Sequence, residues 1–360
     1  MQADSSRRCC PPVPVAGLRS CAPGVEFALR RWYRKLIIPP RADSNGHRRP
    51  ARPWWKRLAL ALGLGALSLS AGLAQPRWRG WGGGFDSSGP LVQTEGGEVV
   101  NEDTVRTARE TAPHSVDFPA WTNAPEFAQD VFTFARVIFH SRPDRPSWLG
   151  WINDYPDGDL NLSYRLRQLT AFEVNPDGRV LKLTDPTLAD YPFIFMSHPE
   201  SMELSDLELR ALRDYLRNGG ALLADDMWGA RNWAGFESEM KRVLPGRTWV
   251  ELSIGHPIFH CVFDLRPPLN SLQVPTIHIW RRNYDPANPG FSAFRGPGAQ
   301  GMHVRAWLDD KQRIMVVAIA NSDTGDGWER EGEDETYFRE FSETRAYPLA
   351  INILFYLMTH

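Results

Sequence analysis

Residues 205–226 read SDLELRALRDYLRNGGALLADD, and this stretch decides the fold. Ser205 and Glu208 stand at the spacing of a capping box, in which each side chain satisfies a free amide of a helix's first turn. Leu209, Leu212 and Leu216 then recur at helical spacing, and Asn218-Gly219-Gly220 is a stop signal. The next four residues, ALLA, form an apolar run with no polar alternation, followed by Asp225-Asp226. A helix leading through glycines into a continuous apolar strand is one repeat of a sheet covered on both faces.

Working outward, the same alternation recurs. Apolar or β-rich runs lie at 132–139 (FTFARVIF), 180–183, 193–196 (FIFM), 248–252 and 314–320 (IMVVAIA). Between and after them, residues 161–170, 233–243 and 347–358 have helical texture. The expected fold is therefore α/β, a mostly parallel sheet with helices on both faces, over residues 126–360. Right-handed crossovers place every parallel strand's carboxyl end on one edge.

Ligands of open α/β sheets bind outside that edge. Polar residues follow the strands there: His140 after the first, Ser197-His198 after FIFM, Asp225-Asp226 after ALLA, and Asn321 and Asp323 after the last. His256 follows the strand at 248–252. Asp225, Asp226, His198, His256, His140 and Asp323 are thus the candidate site. Trp148, Trp151 and Trp228 are the aromatic side chains expected to line it. Each has a structural alternative: the aspartates can cap helices, the histidines can close strands, and the tryptophans can be core. Residues 321–328 (NSDTGDGW) and the run Asp154, Asp157, Asp159 in DYPDGD read as acidic loops, the second of them solvated.

Charge is distributed unevenly. The first 74 residues carry 13 of the 41 basic side chains and 3 of the 43 acidic ones, so the remainder is strongly acidic. An acidic body excludes nucleic acid as a partner class, because phosphate backbones select basic surfaces. Residues 1–53, rich in Arg and Pro, read as a disordered basic leader. Residues 54–74, WWKR followed by LALALGLGALSLSAGLA, read as a signal peptide cut near Ala74, or as a membrane anchor if uncut. Export to the periplasm or to the outer face of the inner membrane follows from either. Residues 75–125 read as a flexible linker with one short helix near 103–111.

No Walker A loop, H-E-x-x-H or G-x-S-x-G is present. Three of the four cysteines lie in the leader, and Cys261 lacks the glycines of a nucleophile turn. No cofactor or metal is specified. DYPDGDLNLSYRL, GGALLADDMWG (219–229), GHPIF (255–259), NSDTGDGWE (321–329) and the closing AINILFYLM together resemble a bacterial family, catalogued as domain of unknown function 4159. The resemblance covers about residues 130–360. It implies a class I glutamine amidotransferase-like, flavodoxin-like sandwich. It does not imply amidotransferase chemistry, which needs a cysteine at a glycine-flanked turn. The expected function is a non-catalytic module binding a carbohydrate, a peptide or an envelope protein. The alternative is a hydrolase, metal-assisted or not, using the Asp and His residues above.

Overall fold

The computed structural model describes residues 90–127, 130–144, 150–284 and 297–360. The expected leader and signal segment, and Trp148, lie outside them. Among the described residues, nine strands are numbered in chain order. Seven form one sheet: β3 (Ala135–Ile138), β4 (Arg179–Lys182), β5 (Phe193–Ser197), β6 (Ala221–Met227), β7 (Trp249–Glu251), β8 (His303–Leu308) and β9 (Ile314–Ala320). Their spatial order is β4-β3-β5-β6-β9-β8-β7. The first five are parallel; β8 runs antiparallel to both β9 and β7. Numbered along the chain, the parallel strands stand in the order 2-1-3-4-5, a doubly wound arrangement with its switch point between β3 and β5. β8 is the strand that its partly polar sequence, HVRAWL, hides from a search for apolar runs.

The main helices are α1 (Asp157–Leu169), α2 (Asp206–Arg217), α3 (Gly229–Val243), α4 (Ile277–Asn283), α5 (Thr324–Glu329) and α6 (Tyr347–Thr359), the last entered through a π-helical Phe338–Ala346. α2 begins with the expected capping box: Glu208 N donates to Ser205 Oγ, and Ser205 N donates to Glu208. Two apolar clusters show that both sheet faces are covered. Leu212 and Leu216 of α2 and Phe236 and Met240 of α3 pack with Ile194, Met196, Leu222 and Val316 on one face. Leu162 and Leu166 of α1, Trp328 of α5 and Leu349 and Ile353 of α6 pack with Phe193, Phe195, Leu223 and Val317 on the other. Adjacent strand residues alternate between the two clusters, as the pleat requires.

Three expectations are corrected. From residue 90 on, the supposed linker belongs to the folded body. It forms a hairpin, β1 (Leu91–Gln93) with β2 (Val99–Asn101), and a 3-10 turn Ala108–Glu110, and it buries Val100, Val105 and Ala108. It also covers the outer edge of β4: Val180 N donates to Arg106 O (2.8 Å), and Ala108 N donates to Asp177 O (2.9 Å). An edge strand so covered is shielded from pairing with other chains. Secondly, residues 324–329 are not a loop but α5, whose side chains are buried throughout. Thirdly, Asp154, Asp157 and Asp159 are not solvated; all three are buried where the chain enters α1. Among the described residues, no helix is long and apolar enough to cross a membrane.

Candidate functional site

The parallel strands deliver their polar ends to one edge, and the backbone there is unusual. Among the described residues, five that are not glycine have a left-handed φ: Asp154, His198, Asp226, Gln312 and Asn321. All but Gln312 sit at this edge, and clustering of such conformations marks functional sites. Asp226 owes its conformation to a bulge in β6, where pairing with β9 slips between Ala224 and Met227. A bulge re-aims side chains, so two neighbouring aspartates take different tasks.

Asp225 is committed to structure. Its carboxylate accepts from Thr324 Oγ1 (2.9 Å) and from Gly325 N (2.8 Å), holding the start of α5. Burial and the adjacent Asp226 push its pKa well above the ordinary range. Asp323 is the N-cap of the same helix, accepting from Asp326 N (3.1 Å) and from Thr276 Oγ1 (2.7 Å). Replacing Asp225 with Ala strands two buried donors and is expected to cost about 2 kcal/mol. Urea denaturation measures that loss, and a cost below about 0.5 kcal/mol would contradict this capping role.

Asp226 instead turns towards His198 at the end of β5. It accepts from Trp228 Nε1 (2.6 Å), and its other oxygen lies 3.7 Å from His198 Nε2. His198 Nδ1 is 2.8 Å from Glu200, so the imidazole stands between two carboxylates. His198 occupies the sharp turn between β5 and the 3-10 segment Pro199–Ser201. Gly235 of α3 keeps that segment in place: a Cβ there would lie 2.1 Å from the Glu200 carbonyl oxygen. The His198 side chain is 18% exposed, which leaves it reachable from solvent, whereas Asp226 is nearly covered.

Behind them lies Asp154. Its Oδ2 accepts from Ser197 Oγ (2.8 Å) and from Asn153 Nδ2 (2.9 Å). Burial first, then the negative Asp326 and Asp226, push its pKa up to about 7. Gly325 makes the approach possible, since a Cβ at that position would lie 2.0 Å from Asp154 Oδ2. The Asn153-Asp154 loop is tied down by Arg136 of β3, which is fully buried. Its guanidinium donates to Asp159 (2.9 Å) and to the carbonyls of Trp151 (2.9 Å) and Asn153 (2.7 Å).

Asp154, Asp326 and Glu329 bring carboxylate oxygens within 4.8 Å of one another, as do ligand atoms of Glu95, His114 and Glu329. The geometry would surround a cation, but the chain supplies positive charges itself. Arg330 reaches Glu95, Asp326 (3.2 Å) and Glu329 (2.7 Å), and His114 bridges Asp157 (2.8 Å) and Glu329 (2.9 Å). Burial, with the negative Asp154 and Glu95 adding to it, holds Glu329 well above the ordinary carboxylate range against the pull of Arg330 and His114. These side chains form an internally neutralised network, not a ready metal centre.

The structure therefore brings together Asp225, Asp226, His198 and Asp323 of the sequence candidates, with two of the four acting as helix caps. It does not bring in His140 or His256. His140 ends β3 as expected, but its ring turns to Glu102 beyond β2 (3.0 Å). His256 caps a 3-10 turn by accepting from Ile258 N (3.2 Å), and it packs edge-on to Tyr356 late in α6. The crossing after β7 carries it away from the edge. Trp151 is core, its indole nitrogen donating to Glu102. Asp154, Asn153 and Glu200 were missed because an acidic Pro/Gly run reads as a surface loop and because no strand-end rule reaches them. No curated protein matches the chain. The family model described as domain of unknown function (DUF4159) matches residues 133–358, and the chain belongs to that family.

Proposed function

We propose that this protein is a non-catalytic binding module that acts outside the cytoplasm, delivered there by residues 54–74, with the His198–Asp226 crevice as its ligand site. One observation carries the reading. The turn after β5, a strained strand-to-helix elbow of the kind that exposes a nucleophile in α/β enzymes, holds an imidazole between two carboxylates and no thiol or free hydroxyl. Cys261 is remote from it, hydrogen-bonded to the Asn352 carbonyl of α6. Asp225 and Asp323 are occupied as caps. The strand order 2-1-3-4-5 supports the relationship to class I glutamine amidotransferase-like, flavodoxin-like folds without bringing their chemistry.

Carboxylates, an imidazole and an amide suit the hydroxyls of a carbohydrate, while the Trp228 indole expected to line the site is buried against Ala299 and supports Asp226 from behind. A peptide or an envelope protein would engage the same groups. Thermal-shift and calorimetric titration of the purified protein with oligosaccharide and peptide panels tests this. A true ligand at 100 times its Kd adds about 2.7 kcal/mol of stability. Asp226→Asn is expected to weaken that ligand roughly 10- to 100-fold, the worth of a charged hydrogen bond. A ligand unaffected by Asp226→Asn would move the site elsewhere.

A hydrolase is the second reading because of Asp154. A buried carboxyl held near neutrality beside Ser197 and Asn153 has the proton affinity of a general acid or base. Turnover of any ester, amide or glycoside that Asp154→Asn abolishes in a folded protein would establish it.

A further inference from the structure

We propose that residues 90–116 are a strap over the carboxyl edge of the sheet, anchored in its middle and held at both ends by histidine–carboxylate pairs, of which the one at His114 lets go as pH rises while Arg330 keeps hold of Glu95 at the other. The anchor is apolar and backbone-bonded: Val100, Val105 and Ala108 are buried, and residues 106 and 108 pair beside β4. The ends are held differently. His114, on the strap, sits between Asp157 of α1 and Glu329 of α5. Glu95, at the hairpin tip, meets His278 of α4 (3.3 Å) and Arg330. A third pair, Glu102 with His140, lies beside the anchor. This strap precedes the residues that the family model matches.

Each histidine faces a net negative environment. Around His114 stand Asp157 and Glu329, with Glu95 and Arg330 beyond them. Around His278 stand Glu95 and Asp326, opposed by Arg330. Around His140 stand Glu102 and Glu208, opposed by Lys182. Burial disfavours the charged His114, but its bonds to Asp157 and Glu329 outweigh burial and raise its pKa to about 10. His278 and His140 are raised through Glu95 and Glu102. A histidine raised by folding lends its full stabilisation below its ordinary value of 6.5 and loses it as pH climbs through the folded value. At the acid side the latch persists, because Glu95 is lowered to about 2 by His278 and Arg330 against the pull of burial. Lifting the His114 end uncovers Asp157 and Glu329, which pack beside Asp154, whatever ligand the edge takes.

Hydrogen exchange of the full chain tests the latch, corrected for the intrinsic pH dependence of amide exchange. Peptides covering 90–98 and 110–116 are compared with the strap middle and with α2. The expected result is a loss of protection in the 110–116 peptide between about pH 6.5 and pH 10, of at least about tenfold in total, since one linked proton carries up to a tenfold change for each tenfold fall in proton concentration, while α2 and the Arg330-held 90–98 peptide keep theirs. His114→Gln should show that loss already at pH 7. His278→Gln, at a half-exposed position, should loosen the peptide around Glu95 alone. A 110–116 peptide that tracks α2 at every pH, or a His114→Gln protein protected like the parent, overturns the proposal.

Discussion

Replacing Arg136 with Met is expected to cost about 3–5 kcal/mol, the usual consequence of removing one partner of a buried ion pair. The guanidinium is sealed in, with Asp159 on one side and the Trp151 and Asn153 carbonyls on the other, and it lies 5.0 Å from the Phe195 ring centroid. Nothing in the sheet interior can hydrate Asp159 once the cation is gone. A double variant, Arg136→Met with Asp159→Leu, removes the stranded charge and is expected to recover most of the loss. Urea denaturation of the three proteins measures both steps. A single variant within about 1 kcal/mol of the parent would show that Arg136 holds nothing. Because Arg136 grips the carbonyl of Asn153, the same variant should also disturb ligand contacts at the crevice.

Asp154→Asn is expected to act in the opposite direction and to stabilise the protein. Burial, then Asp326 and Asp226, raise the folded-state pKa of Asp154 from 3.8 to about 7. A carboxyl raised by folding costs stability as pH climbs through that window, and the cost persists above it. At pH 8 the gain on removing the charge approaches roughly 4 kcal/mol as an upper figure, because each tenfold change in proton affinity is worth about 1.4 kcal/mol. Below the ordinary aspartate range both forms are neutral, and the gain should vanish. Denaturation at pH 8 and pH 3 separates the outcomes. A variant destabilised at high pH but not at low pH would mean that Ser197 and Asn153 stabilise the carboxylate more than burial opposes it. Stability held back at one position is what a functional carboxyl shows.

Much of the architecture was legible in the sequence. Continuous apolar runs at 193–196, 221–224 and 314–320 mark buried strands, because a strand covered on both faces has no polar side. Ser205 and Glu208 place a helix start from local hydrogen bonding alone. Once those runs are parallel strands, the carboxyl edge follows, and with it the proximity of His198, Asp225 and Asp226.

What chain-local rules could not reach was decided by contacts between distant segments. The bulge in β6 turns Asp226 towards His198 while Asp225 caps a helix 99 residues further on. Residues 324–329 are helical despite two glycines, because Asp225 and Asp323 hold the first turn and Gly325 and Gly327 admit Asp154 and Ala346. The aspartates of DYPDGD are buried because Arg136, His114 and Ser197 meet them there. The polar segment after residue 90 folds because its carboxylates find Arg330, His278 and His140, partners between 38 and 235 positions away. Apolar periodicity is a local property, so the sequence by itself determined the layers and the edge. The protonation and pairing of buried charges depend on which groups the fold assembles, and only the tertiary structure decided them.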